Sequence, residues 1–271
     1  MGTASVGDIV PLVELLDERR HLVEIAHRTL GSRGMAERVT DEAYREWYGL
    51  PESGRSGIAT PRTWLSDVVG GLALARLAPP APPIPPAPSA PSVPPAPPAL
   101  LAPSGPPAPP SLESGVPAVR SVPERVDPAG TAALHGLRAR RARPASPRRQ
   151  EEAACAVRQA CADGDHERLV PLLAHDVRAF FDGGGKLRTP LGPVTGAAHV
   201  AASLLTLLPA HPRTTVDTHP VNGRTGLVAR CHGRVAAVIT LDLADALVAQ
   251  IWIVVNPDKL RSWNSPRLNR A

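Results

Sequence analysis

The stretch "AFFDGGGKLRTP", residues 179–190, sets an acid (Asp182), three glycines (Gly183, Gly184, Gly185) and a lysine (Lys186) side by side. Glycines ahead of a lysine can cradle phosphate, but a P-loop needs G-x-x-x-x-G-K-[ST] opening a helix. Here Leu187 follows the lysine, and Thr189-Pro190 opposes an immediate helix. A tight turn after "AFFD" fits better, because glycine reaches positive φ without a Cβ penalty. Near the C-terminus "NPDKL" (Asn256, Pro257, Asp258, Lys259, Leu260) reads as a second turn, begun by Asn-Pro after an apolar run.

Acid–base catalysis would need a carboxylate and a histidine within reach of each other. Asp182, Asp217, His199, His219 and His232 are the candidates, and no spacing singles out a pair. His219 before Pro220 and His232 before Gly233 read as strand-end residues. Cys155, Cys161 and Cys231 form neither C-x-x-C nor a Cys/His set suited to zinc, and Cys231 reads as a small buried residue. No catalytic residue, metal ligand or cofactor is therefore expected. The sparse cysteines fit a reducing cytoplasm, and no apolar run reaches the roughly 18 residues of a membrane span.

The elements that hold these residues fall into two groups. Leu12, Leu15, Leu16, Val23, Ala26 and Leu30 recur at helical spacing up to Gly31, a plausible stop. Val39, Ala43 and Trp47 stripe a second helix, with Tyr44 and Tyr48 beside it. A third opens with Thr60 as cap and Pro61 at the first position, striped by Trp64, Leu65, Val68, Leu72 and Arg76. These make a small three-helix bundle. Later in the chain "EEAACAVRQACADGD", "HERLVPLLA" and "TGAAHVAASLLTLLP" read as helices and "VRAFFD" as a strand. Four more strands follow: "RTTVDTHPV", "RTGLVARCH", "RVAAVITLDL" and "LVAQIWIVV". Asn222-Gly223, His232-Gly233 and the Asp245 region punctuate them, the first being a strong hairpin signal. Helices followed by an antiparallel meander read as α+β.

Between the groups, residues 79–110 hold 17 prolines in 32 positions. Proline fixes φ and donates no backbone hydrogen bond, so an extended, semi-rigid spacer is expected. The formal net charge of +5 is also local: eight arginines against Glu124 and Asp127 give residues 120–149 a net +6. The eight aromatics avoid this connector, lying at Tyr44, Trp47, Tyr48 and Trp64 or at Phe180, Phe181, Trp252 and Trp263. Two folded units on a linker are the reading: 1–78 helical, 79–149 linker, 150–264 α+β, and a tail over 265–271.

"FFDGGGK" with "IWIVVNPDKLRSWN" resembles the SnoaL-like (NTF2-like) C-terminal domain of a group of extracytoplasmic-function (ECF) sigma factors. The Asp-Gly-Gly-Gly-Lys and Asn-Pro-Asp-Lys-Leu motifs are characteristic of that group, and the resemblance covers roughly residues 150–264. "MAERVTDEAYREWY" resembles the helix of sigma region 2 that grips the RNA polymerase β′ coiled coil, written A-E-D-V-V-Q-E-x-[FY] in the family. Ala36, Glu37, Val39, Glu42 and Tyr44 match it; Arg38 replaces an acid and Asp41 replaces glutamine. "TPRTWL" resembles the P-x-x-W-L start of the promoter-facing helix, with Trp64 and Arg76 as its candidate contacts. Gly71, Ala75 and Ala78 stand where that helix usually has polar or charged residues.

The resemblance implies a cytoplasmic, sigma-like transcription regulator. Glu37, Glu42, Tyr44 and Trp47 would face core polymerase, promoter DNA would be a weak partner, and no membrane is implied. In the family the Asp182–Lys186 loop faces the sigma core, and Asn256–Leu260 belongs to the same regulatory surface. No helix-turn-helix of region 4 is legible in residues 79–149, where the arginines could still touch phosphates without sequence choice. Two alternatives stand: a ligand-binding or enzymatic SnoaL-like module taking a small molecule in its cone, or an adaptor that binds polymerase without initiating.

Overall fold

The computed structural model describes residues 9–77 and 145–265. The expected proline spacer and most of the arginine-rich stretch lie outside them, as does the question of region 4.

The N-terminal part is all α. Helix α1 spans Leu12–Leu30 and stops at Gly31, whose φ of 67° lets its N–H close on the carbonyl of His27. Helix α2 spans Arg33–Gly49, a short α3 covers Glu52–Ser56, and α4 runs Pro61–Leu77. The short helix was not legible because "ESGRS" has no apolar stripe and none of its residues is buried. Leu22, Val23 and Ala26 of α1 meet Val39, Ala43, Tyr44 and Trp47 of α2 and Leu65, Val69 and Ala73 of α4 in one core.

The C-terminal part is α+β, as expected. Helix α5 (Pro147–Asp163) begins inside the stretch read as linker, because Ser146 accepts from the N–H of Arg149 and Pro147 occupies the first turn. Helix α6 is only His166–Leu169, followed by a 3-10 turn over Val170–Leu172. The end of "HERLVPLLA" is thus strand rather than helix: Pro171 removes a donor and β1 starts at Leu173. The strands are β1 (Leu173–Asp182), β2 (Val194–Thr195), β3 (Thr214–Val221), β4 (Arg224–Cys231), β5 (Arg234–Ala244) and β6 (Leu247–Val254). Helix α7 (Ala197–Leu207) precedes β3, and α8 (Arg261–Asn264) follows β6. The sheet order is β2-β1-β6-β5-β4-β3, with β1 parallel to β6 and every other pair antiparallel. Positive φ at Asn222-Gly223 and His232-Gly233 gives the two-residue turns that match strand twist.

Helices α5 and α7 cover one sheet face, burying Val177, Ala179, Leu227, Ala229, Ile239, Leu241, Ile251 and Ile253. Ile9, Leu12 and Leu15 join that same core. Helix α1 therefore serves two cores, its first turns in the sheet's and its later turns in the bundle's. On the opposite face Val221, Val228, Val235, Val238 and Leu260 form a smaller cluster, against which Trp263 packs.

Candidate functional site: the two glycine- and proline-turn loops against the helical bundle

Strand β1 ends at Asp182 and β6 at Val254, and because the two run parallel, Asp182 pairs with Val254 in register. Both motif loops thus leave the sheet at the same end of two neighbouring strands. The N–H groups of Val255 and Asn256 each donate to the carbonyl of Asp182 at 2.9 Å. The glycines make the turn: Gly184 and Gly185 have φ of 62° and 64°. A Cβ on Gly184 would stand 2.2 Å from Asn256 Nδ2, so the loop contacts Asn256 through a position where no side chain fits. Asp182 accepts from the N–H of Gly184 at 3.0 Å and from Lys259 Nζ at 2.7 Å. Asn256 Oδ1 accepts from the N–H of Asp258, and Asp258 reaches Lys186 Nζ at 2.6 Å. Each motif supplies one acid and one lysine to the other.

Lys186 also reaches back to the bundle. Its Nζ lies 2.9 Å from Asp41 of α2, which Arg19 of α1 binds at 2.7 Å, while Arg19 donates to the Lys186 carbonyl at 2.9 Å. Deeper in, Arg188 clasps Glu18 of α1 through Nε at 3.0 Å and a terminal nitrogen at 2.7 Å, and the Tyr44 hydroxyl donates to the same carboxylate. Tyr48 donates to the Leu187 carbonyl at 2.5 Å and accepts from the N–H of Thr189 at 2.9 Å. Burial, then the Glu18 charge, drives the Tyr44 phenol far above its ordinary value, so it remains a donor throughout the accessible pH range.

Hydrogen bonding to Asp258 raises the Lys186 pKa, with Asp41 adding to it; the bond from Lys186 in turn lowers that of Asp258. Stability from a depressed carboxylate is present above its unfolded value and lost as pH falls through the folded one. Stability from a raised lysine is present below its unfolded value and lost as pH rises through the folded one. Asp258 remains 43% exposed, so the screened pair contributes at most about 1 kcal/mol. The expected result is a melting-temperature gap between the natural chain and Lys186→Met that is flat from about pH 5 to pH 9 and shrinks below about pH 4. Thermal unfolding across that range checks it.

The other expected residues are placed as follows. Glu37 lies part-exposed on α2 beside Arg33, and Glu42 pairs with Arg76 of α4. Tyr44 and Trp47, expected to face a partner, are instead buried in the bundle, since each falls on the apolar stripe of α2. Trp64 packs its ring 5.5 Å from that of Trp47. Glu18, Arg19, Tyr48 and Arg188 were not anticipated. The available signal was an acid within a buried stripe, Leu15–Glu18–Leu22.

Among the described residues, neither Asp182 nor Asp217 makes a hydrogen bond or ion pair with His199, His219 or His232. A cavity of about 620 Å³ lies on the sheet's outer face, between Asp182, Lys259, Trp252, Arg224 and Asp242, and no histidine lines it. His219 packs on Trp263, and His199 sits near the Thr195 carbonyl. Burial pushes the Cys161 thiol up to about 12 and raises Cys231 as well, which keeps both protonated and unreactive. Among the described residues no group of three His, Cys, Asp or Glu could hold a metal ion, and no helix is long and apolar enough to cross a membrane.

The chain is 26% identical over 285 residues to the ECF RNA polymerase sigma factor SigJ of Mycobacterium tuberculosis, covering 89% of this chain and 90% of that one. The chain is ECF sigma-factor-like. No protein-family model matches it. The crystal structure of that same sigma factor superposes with a TM-score of 0.36 at 22% identity, covering 94% of this chain and 99% of the other. An NTF-2 like protein of unknown function from Burkholderia xenovorans superposes with a TM-score of 0.31 at 19% identity, covering 40% and 84%. The sigma-factor-like relationship rests on the sequence match, which spans both the bundle and the sheet.

Proposed function

We propose that this chain is a transcription regulator that engages core RNA polymerase through its N-terminal helices, with the C-terminal α+β part restraining them. The observation that carries the reading is the likeness to an ECF sigma factor along 89% of the chain, bundle and sheet together. The restraint follows from Lys186 on Asp41: the face of α2 that carries Asp41 between Glu37 and Glu42 already holds the glycine loop. A partner that uses Glu37 and Glu42, and the β′ subunit in particular, competes with Lys186 for this face. Binding energy spent on lifting the loop is subtracted from affinity, as for any receptor whose competent state is a minor one.

The test is retention of the full chain on immobilised core polymerase. Glu37→Lys with Glu42→Lys is expected to lower retention about tenfold or more, because charge reversal on a docking face adds repulsion to lost attraction. Lys186→Met is expected to raise it. A chain that is not retained at all ends the polymerase reading. Run-off transcription with the retained complex separates a factor that initiates from an adaptor that only binds.

A further inference from the structure

Beside the glycine loop lies a cavity of about 340 Å³ lined by Arg38, Asp41, Arg45, Arg76, Gly184, Gly185 and Lys186. We propose that it is a binding site for a small oligophosphate anion, the di- or triphosphate of a nucleotide. Four cations share one opening with a single carboxylate, and Asp41 is already bound by both Arg19 and Lys186. Glu42 answers Arg76. Arg38 and Arg45 make no ion pair among the described residues. Lys186 is answered by Asp41 and Asp258, so the charge left over at this opening is that of Arg38 and Arg45, which raises the local potential and draws an anion.

The shape favours phosphate over a generic counter-ion. Arginine presents a planar fork that binds phosphate oxygens two at a time. Arg38 and Arg45 stand seven residues apart on α2, two turns along one face, with Asp41 between them. Seven residues advance about 10.5 Å along the axis, so the two long side chains, both lining the cavity, would close on an oligophosphate from its two ends. Across the cavity, Gly185 at φ 64° has nothing within 4 Å of where a Cβ would sit, so the loop backbone stays open to the ligand. The volume exceeds one phosphate and accepts a chain of two or three.

The glycine loop lacks a P-loop sequence, and it needs none here, because three of the four cations, Arg38, Arg45 and Arg76, come from α2 and α4. One wall belongs to the bundle and the other to the sheet's loop, so an anion that bridges them tightens their docking.

Titration calorimetry of the full chain with inorganic pyrophosphate, and separately with ATP, tests the site. Saturable binding is expected, weakened about tenfold or more in Arg38→Gln/Arg45→Gln. Both arginines are exposed and make no ion pair among the described residues, so this variant keeps its fold, which an unchanged melting temperature without ligand verifies. Pyrophosphate should raise the melting temperature of the natural chain more than sodium chloride of equal ionic strength. Absence of saturable binding at about 1 mM pyrophosphate and ATP, or equal binding by the double variant, overturns the proposal. A short single-stranded oligonucleotide is the second arm. If it binds through the same arginines while pyrophosphate and ATP do not, the phosphates come from nucleic acid and the small-anion assignment falls. Binding is read without polymerase, so its failure leaves the polymerase reading standing.

Discussion

Replacing Arg188 with alanine is expected to cost about 3–5 kcal/mol of folding stability, the range for breaking a buried ion pair by removing one partner. Glu18 is 3% exposed and its carboxylate takes both nitrogens of the Arg188 fork plus the Tyr44 hydroxyl. Without the arginine, an ionised carboxylate sits among Leu15, Leu22 and Tyr44 with one neutral donor, so it must take up a proton or open the interface to water. The companion variant Arg188→Met/Glu18→Gln removes both charges and should recover most of the loss, because the buried pair's net contribution is far smaller than the cost of breaking it. Denaturant unfolding followed by tryptophan fluorescence measures both. An Arg188→Ala loss below about 1 kcal/mol would place this pair in the class of exposed ion pairs and remove it as the anchor between bundle and sheet.

That anchor marks where reading the sequence reaches its limit. The strand-like apolar runs and the Asn222-Gly223 and His232-Gly233 turns made the meander legible, since hairpin chemistry is local in sequence. The helix stripes were equally local. The doubled use of α1 was not, because Leu12 and Leu15 carry the same three-residue spacing whichever core they enter. Nothing in the heptad of Leu15, Glu18 and Leu22 names Arg188 as the partner of Glu18, 170 residues away. The site was half legible: the two motifs were recognised together, and Asp182, Lys186, Asp258 and Lys259 do meet in one network. Tyr44 and Trp47 went the other way. Motif matching assigns a residue to a function without asking which side of the helix it occupies, and here that side is the core.

The glycine loop supplies the second large effect. Gly184→Ala is expected to destabilise the chain by about 2–3 kcal/mol, from left-handed strain of about 1–2 kcal/mol plus at least one lost hydrogen bond. Gly185→Ala supplies the control. Its φ of 64° matches the 62° of Gly184, so the two share backbone strain, but its Cβ meets open space. The difference between them isolates the contact with Asn256, whose Cγ would lie 2.4 Å from the new methyl. Asn256 is 8% exposed and cannot simply swing outward; displacing it releases the N–H of Asp258 and, through Asp258, loosens Lys186. Hydrogen exchange should therefore quicken around the Asp182 turn in both variants but at the Asn256 turn mainly in Gly184→Ala. Equal destabilisation by the two substitutions would mean that the loop is glycine-rich for its turn alone. A larger loss in Gly184→Ala ties the triplet to its partner: Gly184 and Gly185 shape the reversal, and Gly184 also keeps clear the space that the side chain of the proline-turn loop fills.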